Sequence, residues 1–327
     1  MEPVTHFLTG AVLARSGFNS KTALATATMT LAAEAPDLDV LWGLKGPVYG
    51  FAHHRGFTHS FAGLILVSAL VTGFMYGAWR LRRRRTNIPG LRPRWGLLFL
   101  CAYIAGLSHI LLDYTNNYGV RPFWPFSGTW YSWDIVFIFE PALYIILIGG
   151  LVLPAILRRN RPFPRGRRAA VVALASMAAL YAARDHEHRR ALGELAQKQF
   201  DGSPALRASA YPYFWHLFEW RAVAETPGSF VRANIDSRTG ELNGLEHFLK
   251  PPETRATLVA RRSYLGRVYL DWAEYPLVTE TVDGADTAVH FNDLRFGLQA
   301  LSATIQLNRD LEITAETVGR RSQTPPR

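Results

Sequence analysis

Two stretches of this 327-residue chain, Phe61 to Trp79 and Trp95 to Leu112, run for 19 and 18 residues without an Asp, Glu, Lys or Arg. At a rise of about 1.5 Å per residue, each reaches most or all of the way across a hydrocarbon core of about 30 Å. A surface helix of a soluble protein keeps a polar face for water, so an uncharged run of this length predicts a membrane span. Ile135 to Leu157, interrupted only by Glu140, and the shorter Ala169 to Ala183 continue the pattern and predict two more spans. Phe7 to Ala14 and Thr22 to Ala33 are apolar but short, a helical hairpin whose relation to the bilayer the pattern leaves open. Met1 to His6 carries no basic residue, so no cleavable signal peptide is expected.

The charges agree with this reading. The chain's net +10 divides into 19 basic against 7 acidic residues up to Arg184, and 17 against 19 from Asp185 onward. Thirteen of those 19 basic residues fall in two runs between apolar stretches, Arg80 to Arg94 and Arg158 to Arg168. Short arginine-rich loops between spans mark the cytoplasmic side, which sends the tail from Asp185 to the other side. The tail has balanced charge and no basic stripe to neutralise phosphates, which argues against nucleic acid as a partner. A single cysteine, Cys101, excludes an intrachain disulfide and a thiolate zinc finger.

The tail reads mainly as strands. Trp215 to Glu225, Ser229 to Ile235, Tyr264 to Trp272, Leu277 to Val282, Thr287 to Phe296 and Thr304 to Ile313 are rich in Val, Thr and aromatics. Turn signals such as Thr226-Pro227-Gly228 and Asp283-Gly284 separate them. Glu187 to Phe200 reads as a helical stalk, and Arg320 to Arg327 as a frayed end. The expected fold is an α-helical polytopic membrane domain over 1–184, with four spans and an N-terminal hairpin. A small β-rich (α+β) extracytoplasmic domain over 185–327 follows it.

Polar groups at membrane depth are costly and face a cavity, a partner or a metal. On this topology His59, His109, Asp113 and Asp134 all fall within about two helical turns of one membrane face. His109 and Asp113 stand at i and i+4, so one helix face presents an imidazole and a carboxylate to a common ion. Pro36 ends the preceding helix and leaves Asp37 and Asp39 on an extended turn, where one can bridge two metals. His53, His54 and His59 surround Gly56, which lets the loop bend back, and Ser60 is placed to cap the next helix. His6 opens the first helix. Ordinary readings stay open beside these: a surface His6, interfacial hydrogen bonds for His53 and His54, a helix-ending turn for Asp37 and Asp39, a buried structural pair for His109 and Asp113. Without thiolates, an N and O ligand set suits zinc, with manganese second.

Thr5-His6, Pro36-Asp37-Leu38-Asp39, His54-Arg55-Gly56-Phe57-Thr58-His59-Ser60, His109-Ile110-Leu111-Leu112-Asp113, and Trp133-Asp134 followed by Glu140-Pro141 stand in that order. In this the chain resembles the YdjM-type family of bacterial inner-membrane metal-dependent hydrolases, over the whole membrane part. More distantly, the order is similar to that of zinc-dependent phospholipases C. That resemblance implies His6, Asp37, one of His54 or His59, His109 and Asp113 as ligands. The chain departs from those enzymes in lacking a second late His-x-x-x-Asp or His-x-x-x-Glu pair in its membrane part.

The expectation is a multi-pass protein of the bacterial inner membrane holding one to two zinc ions, and its metal-ligand candidates are His6, Asp37, Asp39, His54, His59, His109 and Asp113. His53, Asp134 and Glu140 are secondary candidates. The expected chemistry is hydrolysis of a phosphoester or other ester of a lipid or envelope substrate at the outer face. In it Asp39 orients or deprotonates the attacking water, and Arg55 either holds a phosphate oxygen bidentately or snorkels at the interface. The alternative is a non-catalytic metal site that braces the helices while the tail serves as an interaction module. A proton-coupled carrier is disfavoured by the absence of paired inverted repeats.

Overall fold

The computed structural model describes residues 1–83, 91–156, 165–200, 202–214, 216–296 and 300–319. Arg84, Arg85, Arg158, Arg159 and Arg161 of the two basic runs, Leu157, Trp215 and the end from Arg320 lie outside the described residues. The chain divides into two compact units, Met1–Asp39 with Arg55–His186, and Val40–His54 with Glu187–Arg327.

The first unit is helical. Helix α1 (Pro3–Arg15) begins where the Glu2 carboxylate accepts the free N–H groups of Val4 and Thr5, each at 2.8 Å. It packs closely on α2 (Ala25–Glu34), because a Cβ at Gly10 would run into the Met29 carbonyl and the Ala33 methyl. Helix α3 (Pro47–His53) belongs to the second unit, and the chain returns to the first for α4 (Phe61–Arg83) and α5 (Trp95–Thr115). Small buried residues, Ala14, Ala32, Ala33, Ala102 and Ala105, bring α1, α2 and α5 together around Met29 and Cys101. Helix α6 (Pro141–Ile156) sets Leu143 and Leu147 against Val12 of α1, and its Gly150 against Ala173 of α7 (Arg165–Leu195).

Two helices, Phe61–Arg82 and Trp95–Thr115, are long and apolar enough to cross a membrane. Only 28% and 44% of their apolar windows are buried in the protein. Most of their apolar surface therefore points outward, as on a lipid-facing helix and unlike the core helix of a soluble protein. The third expected span is a helix of 16 residues. The fourth expected span and the expected stalk as far as Leu195 lie on one helix, α7, while the stalk's last residues, Gln199–Phe200, are a strand.

The second unit is β-rich. Apart from a two-strand ladder of β1 (Gln199–Phe200) and β2 (Ser203–Pro204), it holds two antiparallel sheets, each a meander of four strands in chain order. One comprises β3 (Arg207–Pro212), β4 (Glu219–Glu225), β5 (Ser229–Asp236) and β6 (Leu242–Leu249). Ala191 and Leu195 at the end of α7 cover its Trp220, Ala222 and Ile235. After α8 (Arg255–Arg262) and α9 (Tyr264–Trp272) comes the second sheet, of β7 (Pro276–Asp283), β8 (Asp286–Asp293), β9 (Ala303–Leu307) and β10 (Ile313–Val318).

Tyr264 to Trp272 is a helix and not the strand its composition suggested. Ser263 Oγ caps it by accepting the Gly266 N–H at 2.9 Å, and the buried residues Leu265, Tyr269 and Trp272 recur with a helical period. The expected strand Thr304 to Ile313 is broken by a turn in which Asn308 Oδ1 accepts the N–H groups of Asp310 and Glu312. The stretch holding Asp37 and Asp39 is a 3-10 helix, Ala35–Lys45, where an extended turn was expected.

Candidate metal centre

Four residues of the first unit, Asp37, His59, His109 and Asp113, each place one ligand atom within 4.8 Å of all the others. Asp37 comes from the 3-10 stretch after α2, His59 from the short 3-10 turn Phe57–His59 before α4, and His109 and Asp113 from adjacent turns of α5. The helix start after His59 is secured by Ser60, whose Oγ accepts the Gly63 N–H at 2.9 Å.

His59 Nε2 lies 3.0 Å from His109 Nε2, 3.3 Å from Asp37 Oδ1 and 3.3 Å from Asp113 Oδ2. His109 Nε2 lies 3.5 Å from the same Asp37 oxygen and 3.3 Å from the same Asp113 oxygen. A tetrahedral ion with bonds of about 2.0–2.1 Å holds its ligand atoms about 3.3–3.4 Å apart. Three of these five edges, at 3.3 Å, have that size, the Asp37–His109 edge at 3.5 Å is slightly longer and the His59–His109 edge at 3.0 Å shorter.

The outer nitrogens of the two rings are already committed. His109 Nδ1 lies 2.7 Å from the Ala33 carbonyl oxygen, which can only accept, so Nδ1 carries the hydrogen. His59 Nδ1 lies 3.1 Å from the Thr58 hydroxyl and 3.3 Å from Asp39 Oδ2. Both Nε2 atoms point toward one another and toward two carboxylates, in a site where His59, His109 and Asp113 are fully buried. Such a group is held together by a positive charge at its centre, a proton on His59 or a metal ion in its place. Burial alone would depress the His59 imidazole, but hydrogen bonds to Asp113, Asp37 and Asp39 raise it to about 10. Burial opposes the charge on Asp37 as well, yet His109 and His59 hold its carboxyl well below the usual carboxylate range.

Asp39 sits behind the cluster. Its Oδ2 faces His59 Nδ1 and accepts the Arg55 N–H at 2.7 Å, so it orients a ligand from outside the ligand shell. Arg55 is buried, with Nη2 2.8 Å from Asp113 Oδ1, Nη1 2.8 Å from the Gly119 carbonyl and its guanidinium over the Tyr118 ring. Those bonds hold the residue at φ 51°, a left-handed conformation that costs a non-glycine residue energy.

His6 is fully buried, stacked on His109 with ring centroids 3.7 Å apart, and its Nε2 lies 3.5 Å from Asp113 Oδ1. Neither ring nitrogen has a hydrogen-bond partner. Burial, then the neighbouring His109, lowers His6 to about 3, so it stands there neutral with a lone pair to offer. The amino group of Met1 also contacts Asp113 Oδ1. Asp113 thus shows one oxygen to the four-residue cluster and the other to His6 and Arg55.

The remaining candidates are not among the four residues of this cluster. His53 stacks on Tyr49 and bonds its carbonyl at 2.9 Å, and both His53 and His54 belong to the second unit. Glu140 pairs with Arg184 at 2.8 Å, and Asp134 Oδ2 accepts the Ser132 hydroxyl at 3.1 Å. In the second unit, His188 bonds the Ala210 carbonyl and Glu187 accepts the Ser237 hydroxyl. Sequence reasoning missed the Ala33 carbonyl that sets the His109 tautomer. No side-chain pattern signals a backbone acceptor.

Lipid-facing helices joined to a buried His and Asp cluster define a membrane protein with a possible metal-binding centre. The YdjM inner membrane protein family matches residues 1–189, more than half of the chain, and the chain belongs to that family. It is 28% identical over 137 residues to the uncharacterized protein YfhP of Bacillus subtilis (strain 168), a match covering 41% of this chain and 38% of that one. The match spans well under half of that relative's length. No solved structure matches the chain.

Proposed function

We propose that this protein is a membrane-bound metal-dependent hydrolase whose centre is built from Asp37, His59, His109 and Asp113, with His6 beside Asp113 as the place for a second ion. The observation that carries the metal is the convergence of one ligand atom from each of Asp37, His59, His109 and Asp113 in a buried site. The His109 Nδ1 hydrogen is held by the Ala33 carbonyl, so that its Nε2 is left for an ion. An ion bound there supplies a more acidic water and a counter-charge for a developing oxyanion, and the N and O donor set suits zinc, then manganese.

Hydrolysis is favoured over bracing because the cluster has an open corner. The Asp37 side chain is 22% exposed while those of His59, His109 and Asp113 are sealed, so water and an ester reach the centre past Asp37. Asp113 is held by Arg55 and His59 is turned by Asp39. Both fix donor atoms in place and neither is free to bind substrate. Arg55 therefore acts here as a positioning residue.

The centre lies near one end of the membrane helices, with His109 about 9 Å and Asp113 about 3 Å before the end of α5. An ester of a lipid or other envelope amphiphile is the substrate class that reaches this level. We extend the proposal to α6 and the apolar part of α7 as further spans, which puts the β-rich part outside the cytoplasm. The test is a phosphodiesterase and phosphomonoesterase screen on phospholipids, using detergent-purified protein loaded with zinc. Turnover lost in Asp37→Asn and His109→Ala supports the enzyme. Bound zinc without turnover of any ester class favours the bracing role.

A further inference from the structure

Immediately outside the buried His59, the first unit exposes a ledge of aromatic rings. Phe57 and Phe61 flank His59 in sequence, and Phe123, Phe126 and Tyr131 come from the loop after α5. The rings are mutually packed: Phe61 lies 5.5 Å from Phe123, Phe123 lies 5.6 Å from Tyr131, and Phe57 lies 6.0 Å from Trp124. Phe126 at the tip is 88% exposed.

The loop is firmly built. Val120 and Tyr131 exchange both backbone hydrogen bonds at 2.9 Å, Phe61 N–H donates to the Pro122 carbonyl at 2.9 Å, and Phe126 N–H donates to Phe123 at 2.9 Å. Arg121 is turned inward with its guanidinium 4.4 Å from the Trp130 ring centre, so the stretch from Pro122 to Tyr131 carries no charge at all. A soluble loop that presents a phenyl ring at its tip and no charged residue is poorly suited to water. This one is continuous with lipid-facing surface, since Phe61 opens the exposed apolar stripe of Ile65, Leu66 and Leu70 along α4.

We propose that the Phe57, Phe61, Phe123, Phe126 and Tyr131 ledge is a docking surface for the bilayer itself, lying in the boundary between headgroups and acyl chains. Aromatic rings concentrate at that depth because their apolar bodies and polarisable faces suit a half-wet layer. Its position beside His59 levels the candidate metal centre with the lipid headgroups. The bilayer contact does not depend on the hydrolase reading.

The test uses the full chain in phosphatidylcholine and phosphatidylglycerol vesicles, with a bimane dye on Phe126→Cys. Cys101 is fully buried and stays unlabelled. The expected result is strong quenching by lipids brominated on their upper acyl carbons, and iodide quenching at least several-fold weaker than for the free dye. Quenching by iodide as for the free dye, with no effect of bromolipid, would overturn the proposal. Should Phe126→Cys not fold, the fluorescence difference between the parent and Trp124→Phe or Trp130→Phe, under the same two quenchers, decides the question. Neither readout involves turnover, so a failure of the hydrolase reading and a failure of the docking surface are told apart.

Discussion

His59 and His109 face each other across 3.0 Å through their Nε2 atoms, with Asp39 beside the opposite nitrogen of His59 and the Ala33 carbonyl accepting from that of His109. A proton held on His59 among the carboxylates balances this buried pair, and a metal ion would bind there by displacing it. That exchange is the core of the functional reading, and it separates the roles of neighbouring carboxylates.

Asp37 and Asp39 are two residues apart, yet only Asp37 shows an oxygen to both imidazole Nε2 atoms. Asp39→Asn removes an orienting partner and is expected to weaken metal affinity by about 10- to 100-fold. Asp37→Asn removes a ligand and is expected to weaken it further. Competition against a chromophoric chelator measures both, and a larger loss in Asp39→Asn would reverse the assignment.

Gly63 touches no ligand but faces the turn that carries one. A Cβ there would collide with the Phe57 carbonyl, which is backbone and cannot swing away. Gly63→Ala should shift the Phe57–His59 turn and release metal while α4 stays helical, read by metal content and circular dichroism together. Full metal occupancy would show that the turn tolerates displacement.

Much of this was legible in the sequence and some was not, for identifiable reasons. The uncharged runs marked the first residues of α4 and α5, whose ends lie four and three residues further on, and the i, i+4 spacing of His109 and Asp113 placed both on one face. The motif around Gly56 suggested three imidazoles, but only His59 lies past the left-handed turn at Arg55, while His53 and His54 stay with the second unit. Side-chain type cannot reveal on which side of such a turn a residue falls. Tyr264 to Trp272 misled through its aromatic and Val content, although its spacing of buried residues was helical. Leu242–Leu249 escaped notice as a strand because most of it is exposed and shows no alternation.

Arg55 is bonded to Asp113 and to the Gly119 carbonyl inside the protein. Arg55→Met leaves Asp113 without its guanidinium, and breaking a buried pair of this kind costs about 3–5 kcal/mol. Thermal unfolding should show a lowered midpoint. An unchanged midpoint combined with weakened binding of phosphate esters would instead favour a substrate-holding arginine.

Burial, reinforced by Asp37, raises the half-buried Glu34 carboxyl from its ordinary value to about 7. The folded chain then holds this proton more tightly than the unfolded chain does. Its contribution to stability is therefore present below about pH 4.5 and is lost as the pH rises through about 7. Glu34→Gln should unfold at a higher temperature than the parent at pH 8, with the advantage shrinking at pH 5. An advantage independent of pH would mean that the carboxyl is not held protonated.

The most direct measurement is the metal content of detergent-purified protein by mass spectrometry, beside His59→Ala, His109→Ala and Asp113→Ala. The account predicts at least one zinc or manganese per chain in the parent, and loss of that ion in each variant while the variants remain folded. A folded parent that takes up no metal when zinc is supplied, or variants that keep it in full, would contradict the assignment of these residues as ligands.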